Sequence, residues 1–114
     1  MRKKIVAGNW KMNKTLAQGL QLVDEILQMT DSKNTTVLKI IAPPATHLAA
    51  IADKLKSLNG FEVAAQNCHQ LESGAYTGEI SAEIIASTGA NYVIIGHSNV
   101  GCISGKIIIC LLKN

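Results

Sequence analysis

Tyr92-Val93-Ile94-Ile95-Gly96-His97-Ser98 is the stretch on which the fold reading turns. Its apolar part is too short for a helix and rich in β-branched residues, which suits a buried strand. The strand ends in a glycine and then delivers a histidine and a hydroxyl. A second delivery point stands upstream, where residues 5–7, Ile-Val-Ala, run through Gly8 into Asn9-Trp10-Lys11. If both runs are parallel strands, the ammonium of Lys11 and the ring of His97 leave the sheet at the same carboxyl edge. That edge is where closed and open parallel sheets carry their chemistry.

Between these points strand-like and helix-like segments alternate. Residues 37–42 and 63–65 read as further strands, the former stopped by Pro43-Pro44, which cannot extend a central strand. Thr15 with Gln18 forms a capping box, and Leu16, Leu20, Val23 and Leu27 then share one helical face. Gly19 inside that helix costs about 1 kcal/mol relative to alanine, so the face must be well packed to carry it. Thr46 is placed to cap a second helix with Leu48, Ile51, Leu55 and Leu58 inward, closing near Asn59-Gly60. Ser81 is placed to cap a third, with Ile80 and Ile85 as its hydrophobic staple, Glu83 in its first turn and Gly89 after its end. The order β-α-β-α-β-α-β implies right-handed crossovers and a parallel sheet covered by helices.

Composition narrows the class. With 114 residues, 47% apolar and 17% charged, the chain reads as one globular domain or part of a larger one. A net charge of +3, whose only basic cluster is Arg2-Lys3-Lys4 without aromatic neighbours, argues against a nucleic-acid face. Cys68, Cys102 and Cys110 form an odd set without C-x-x-C, which fits a reducing cytosol better than disulfides or zinc. Neither the run behind Met1 nor the apolar stretch 107–112 is long enough for a secretory or membrane-spanning segment.

Lys11 and His97 are the candidate chemical groups. A lysine is usually a solvated cation, but one just past a strand's carboxyl end, beside Asn9, is placed to bind an anion. A histidine at the start of a helix favours its neutral ring, which can donate to a carbonyl oxygen. Cation and neutral donor together suit an anionic carbonyl substrate; no base stands beside them in the sequence. His47 reads as a capping or solvated residue near the second helix. Cys68 and His69 are adjacent and make no metal site, and Asp24, Glu25 and Asp53 fall on exposed helical faces. Gly74 and Gly78 mark a shaped loop. Dinucleotide, Walker and H-E-x-x-H motifs are absent.

Five segments carry a family resemblance: Ala7-Gly8-Asn9-Trp10-Lys11-Met12-Asn13, Ile41-Ala42-Pro43-Pro44, Ala65-Gln66-Asn67, Gly74-Ala75-Tyr76-Thr77-Gly78-Glu79-Ile80-Ser81 and Ile95-Gly96-His97-Ser98. In order and spacing, residues 4–98 resemble the first half of triosephosphate isomerase. The resemblance implies an α/β fold of the TIM (β/α)8-barrel family, here its first four β/α units, a half barrel, followed by an irregular tail. The domain reading is therefore 1–98 for the half barrel and 99–114 for a non-matching tail. By the same resemblance the activity is interconversion of dihydroxyacetone phosphate and glyceraldehyde 3-phosphate, in cytoplasmic glycolysis and gluconeogenesis, without cofactor or metal. It gives Asn9, Trp10 and Lys11 to substrate binding, Trp10 mainly as packing, and His97 and Lys11 to catalysis. Ser98 would contact the base. Gly74, Thr77, Gly78 and Glu79 would belong to a loop that reaches into a second subunit of a homodimer.

The match breaks after Ser98. The family continues with Glu-Arg-Arg where this chain has Asn99-Val100-Gly101. The catalytic glutamate, the lid and the phosphate loops belong to the family's second half, so these 114 residues alone are expected to be nearly inactive. Residues 99–106 hold two glycines and no helical period. A parallel return through 107–112 would need a crossover of a dozen residues or more, so a foreign tail on a truncated or frame-shifted chain is the expectation. Two competing readings remain. One is a non-catalytic half-barrel module that self-associates through the open edges of its first and fourth strands. The other is a small doubly wound α/β domain that binds an anion at its switch point.

Overall fold

The computed structural model describes residues 4–30, 36–95 and 108–112. Strand β1 (Lys4–Asn9) leads to helix α1 (Leu16–Met29), then β2 (Val37–Ala42), a short 3-10 turn (Ala45–His47), α2 (Leu48–Leu55), β3 (Phe61–Ala65), α3 (Ala82–Ser87), β4 (Tyr92–Ile95) and β5 (Ile108–Leu111). The strands lie side by side in the order β1-β2-β3-β4-β5. The first four are parallel.

The local signals act as chemistry demands. The Thr15 hydroxyl accepts from the Gln18 amide at 3.3 Å, and the Gln18 side chain accepts from the Thr15 amide at 3.0 Å. Two otherwise orphaned donors are thereby satisfied at the start of α1. The Ser81 hydroxyl accepts from Ile84 N at 3.2 Å, Glu83 sits in the first turn of α3, and Gly89 follows its cap at φ +99°. A Cβ at Gly89 would stand 3.0 Å from the Ala52 methyl, so glycine also lets α2 and α3 approach. Ile80 and Ile85 join the same core, as a staple requires.

The two faces of the sheet distinguish the architectures. One face carries Ile41, Phe61, Val63, Ala65 and Val93, packed with Val23 of α1, Leu48, Ile51 and Leu55 of α2, and Ile85 of α3. The other buries Leu38, Ile40, Ala42, Ala64 and Ile94 against Tyr92 and Ile109, all of them strand residues. A doubly wound domain covers both faces with helices. Here the described helices lie on one face and the residues buried on the other all come from strands, as in half of a (β/α)8 barrel. Each Leu, Ile or Val so buried contributes roughly 1.5–3 kcal/mol. Ile51, fully buried, is a position where alanine would cost about 2–5 kcal/mol.

Four expectations need correction. Leu16 is 45% exposed, and Gly19 takes its place on the inner face of α1 because Trp10 and His47 fill the space beside that turn. Thr46 does not cap α2: a 3-10 turn precedes that helix, and the Thr46 hydroxyl pairs with the His47 ring at 2.8 Å. Helix α2 stops at Leu55, and the chain turns through a Leu58 N–H to Leu55 carbonyl bond before Gly60, at φ +88°. Finally, the tail is not irregular throughout. Residues 108–111 form β5, antiparallel to β4 with Tyr92 opposite Leu111 and Ile95 opposite Ile108. An antiparallel return needs no long crossover, so the objection to a strand in 107–112 holds only for a parallel one. The β4 edge is consequently paired rather than open.

Candidate active site

The carboxyl ends of β1, β2 and β3 are tied together at the carbonyl of Ala42. It accepts from Trp10 N at 3.0 Å and from Gln66 Nε2 at 2.9 Å, which uses both of its lone pairs. The second hydrogen of the same Gln66 amide goes to the Lys11 carbonyl at 2.9 Å. Asn9 Oδ1 accepts from the Lys11 amide at 2.9 Å, and Asn13 Nδ2 donates to the Trp10 carbonyl at 2.8 Å. Asn9 lies opposite Ala42 in the register, so its Cβ points to the helix-free, concave side.

These bonds hold an unusual backbone. Lys11 is at φ +57° and Lys14 at φ +76°, the only non-glycine residues described in the left-handed region. Such a conformation costs on the order of 1–2 kcal/mol per residue. It turns the loop sharply and leaves the Lys11 side chain exposed at the edge. Among the described residues the Lys11 ammonium makes no ion pair or hydrogen bond. Trp10 is half-buried and its ring packs against the helix-side core, over Gly19. Asn9 and Lys11 therefore stand at the edge, while Trp10 anchors them from behind.

His97 and Ser98 lie outside the described residues, as do Asn99, Val100 and Gly101. What is described is their approach: β4 runs parallel to β3 and, through it, to β1 and β2, and its last residue, Ile95, heads for the same edge as Asn9.

Residues 70–80 build a second feature at this edge. His69 N–H donates to the Ile80 carbonyl at 2.8 Å, which closes the base of the loop. The His69 ring lies 4.5 Å from that of Tyr76, and its Nδ1 meets Glu79 Oε1 at 3.2 Å. Nε2 is buried without a hydrogen-bond partner among the described residues. Gly74 takes φ +138°, which L side chains rarely adopt, and a Cβ there would meet the Tyr76 ring at 2.8 Å. Gly74, Thr77, Gly78 and Glu79 are all exposed on this protruding loop. A cleft of about 220 Å³ between its base and the end of β3 is lined in part by Gln66, Cys68 and Glu79. Burial in this region pushes the Cys68 thiol above its ordinary pKa. A larger hollow, about 450 Å³, lies at the opposite edge around Asp53, Lys56, Glu62 and Asn91, away from Lys11.

Three contributors carried no site role in the sequence reading. Gln66 has nearly the same address as Asn9, a polar residue at the carboxyl end of a strand, and that signal could have found it. His47 is 4% exposed and bonds Lys14 rather than solvent; no local pattern links positions 14 and 47. His69, dismissed as a metal ligand, organises the protruding loop instead. Among the described residues no group of three or more His, Cys, Asp or Glu could hold a metal ion. Nor is any described helix long and apolar enough to cross a membrane.

Comparison with known proteins agrees with this geometry. The family profile described as triosephosphate isomerase matches residues 4–101. The chain belongs to the triosephosphate isomerase family. Triosephosphate isomerase of Porphyromonas gingivalis is 55% identical over 98 residues, covering 86% of this chain and 39% of that protein. The enzymes of Bacteroides fragilis and Flavobacterium johnsoniae are 50% and 51% identical over 98 residues, covering 86% of this chain and 39% and 38% of theirs. The chain thus spans about two fifths of the length of the curated isomerases it matches.

Proposed function

We propose that these residues form the electrophilic half of a triosephosphate isomerase site. It would act on dihydroxyacetone phosphate and glyceraldehyde 3-phosphate in cytoplasmic glycolysis and gluconeogenesis, with no cofactor. The observation that carries this reading is the Lys11 loop. Its backbone is held in a left-handed turn by Asn9 and Gln66, while its ammonium faces out at the carboxyl edge towards which β4 also runs. Lys11 and Asn9 would bind the anionic substrate and offset charge that develops on its oxygens, with Trp10 packing behind them. His97 would polarise the carbonyl as a neutral donor, and Ser98 would meet the base. A donor fixed before the reaction loses little in reorganisation, which is how such groups accelerate proton transfer next to a carbonyl.

The domain reading stays with this proposal: residues 1–98 supply the half barrel, and 99–114 are an added segment. The base and the phosphate loops would belong to the remaining three fifths of the family's length. Without a base, general-base catalysis loses orders of magnitude. The 114-residue chain, assayed for isomerisation in both directions, should show no turnover above a protein-free blank. Turnover close to that of a complete barrel would refute the assignment of the base. Dimerisation would proceed through Gly74, Thr77, Gly78 and Glu79.

A second reading, a half-barrel module that self-associates, is favoured by one observation. Strand β1 has β2 on one side and no described partner on the other, and Ile5 and Val6 are 54% and 62% exposed. Unpaired strand edges recruit other chains. With β5 covering β4, the second edge of the described sheet is β5 rather than β4. Sedimentation with hydrogen exchange on the purified chain tests it: association should protect the β1 amides, and a stable, protected monomer contradicts this reading.

A further inference from the structure

We infer that His47 is a positioning residue for the Lys11 loop, the second of two pins that hold its left-handed backbone. The inference rests on the proposal that Lys11 is the substrate-binding lysine. The first pin, Gln66, fixes the carbonyl of Lys11. The other fixes the carbonyl of Lys14, thirty-three positions from His47 in sequence, at 2.7 Å from Nε2. Together they bracket the segment whose two left-handed residues are Lys11 and Lys14.

For a neutral ring the hydrogen-bond chemistry allows one arrangement. A carbonyl oxygen only accepts, so Nε2 carries the hydrogen. Nδ1 of the neutral ring is then an acceptor, and the Thr46 hydroxyl, 2.8 Å away, donates to it. Both ring nitrogens are satisfied in a nearly buried side chain, which fixes its tautomer and its orientation. The slot itself is made by Gly19. A Cβ there would stand 3.1 Å from the His47 Cδ2 and 3.0 Å from the Trp10 ring. The glycine that weakens α1 by propensity thus admits the two rings that hold the loop.

Packing alone does not call for this bond. The Lys14 residue is exposed, and water could satisfy its carbonyl. A buried ring donor replaces a mobile solvent partner with a fixed one and limits the freedom of the turn that presents Lys11.

The test compares His47→Leu, which keeps apolar bulk and removes the donor, with His47→Gln, which keeps a donor. Each is read by amide hydrogen exchange and ¹⁵N relaxation in the 114-residue chain. His47→Leu should speed exchange of the Lys11 amide about five- to tenfold, the effect of one lost hydrogen bond. It should also loosen residues 11–14 while β2 and β3 keep their protection. His47→Gln should restore most of the order. Thr46→Val, which frees one side of the ring, should give a smaller loosening and serves if His47→Leu fails to fold. Equal loop order in all these variants overturns the inference. So does a loss in His47→Leu spread evenly over loop, helix and sheet, which would mean a packing role only. Titration with inorganic phosphate separates the underlying proposal. If phosphate leaves the Lys11 signals of the parent chain unmoved, the substrate role of Lys11 falls, whereas the exchange data still decide the pin.

Discussion

Two loops share the carboxyl edge of this half barrel and are held in opposite ways. Residues 10–15 take their fixed points from distant parts of the chain: Gln66 at the end of β3, the Ala42 carbonyl at the end of β2, and His47 before α2. Residues 70–80 are held locally, from the loop's base, by His69 against Tyr76 and Glu79, with Gly74 at φ +138°. The fixed points of the first loop come together only in the assembled sheet. The second is ordered locally and projects. A group that must meet others with small positional error suits the first design, and a surface offered to another molecule suits the second.

Substitutions can break that contrast. The largest effect should come from Gly19→Val, which would drive a branched side chain into the Trp10 and His47 rings at once. Overpacking of this kind costs about 1–3 kcal/mol, read as a lower urea midpoint, and loop 10–15 should loosen with it. Next is Gln66→Leu, which deprives two carbonyls of a donor and should cost about 1–2 kcal/mol of global stability. If both variants unfold at the parent midpoint, the first loop is not tied to the sheet as described.

Tyr76→Ala should behave differently. Tyr76 is 45% exposed and its described ring partner, His69, stands at the base of its own loop. Global stability should change by no more than about 0.5 kcal/mol, while limited proteolysis within 71–79 becomes faster. A large fall in the midpoint would show that this loop, too, is part of the cooperative core.

What the sequence revealed follows the same division. Periodicity and caps located the four parallel strands and three helices because those signals are local: Thr15 with Gln18, Ser81 with Ile84, Pro43 after Ala42. Asn9 and Lys11 were legible from their place after a strand. Gln66 had nearly the same address and was passed over. His47 was not legible at all, since its partner Lys14 is met only when α1 and α2 pack side by side. The tail shows a related limit. An apolar run is compatible with either strand direction, and only pairing with Tyr92 to Ile95 makes β5 antiparallel. That the described helices all lie on one sheet face, the feature that argues against a doubly wound domain, likewise belongs to packing rather than to any local pattern.

The smallest expected effect concerns Cys68, which lies between the two loops. Burial raises its thiol pKa, so at mildly alkaline pH it stays neutral when an open thiol has begun to ionise. Alkylation by iodoacetamide, followed by peptide mass mapping, should be slower at Cys68 than in the urea-unfolded chain at the same pH. The sign for stability follows. The neutral thiol favours the fold fully below the unfolded-state pKa, and that contribution is lost as pH rises through the higher folded-state value. Equal alkylation rates in the folded and unfolded chains would remove Cys68 from the cleft.

The account as a whole rests on Lys11 and His97 sharing one rim, and paramagnetic relaxation tests that directly. A nitroxide at Met12→Cys, a position 95% exposed beside Lys11, would be placed in a chain carrying Cys68→Ala, Cys102→Ala and Cys110→Ala. The His97 amide signal should broaden strongly, whereas those of Asn59 and Gly60 at the opposite edge should stay sharp. A sharp His97 signal beside broadened Asn59 and Gly60 signals would contradict it.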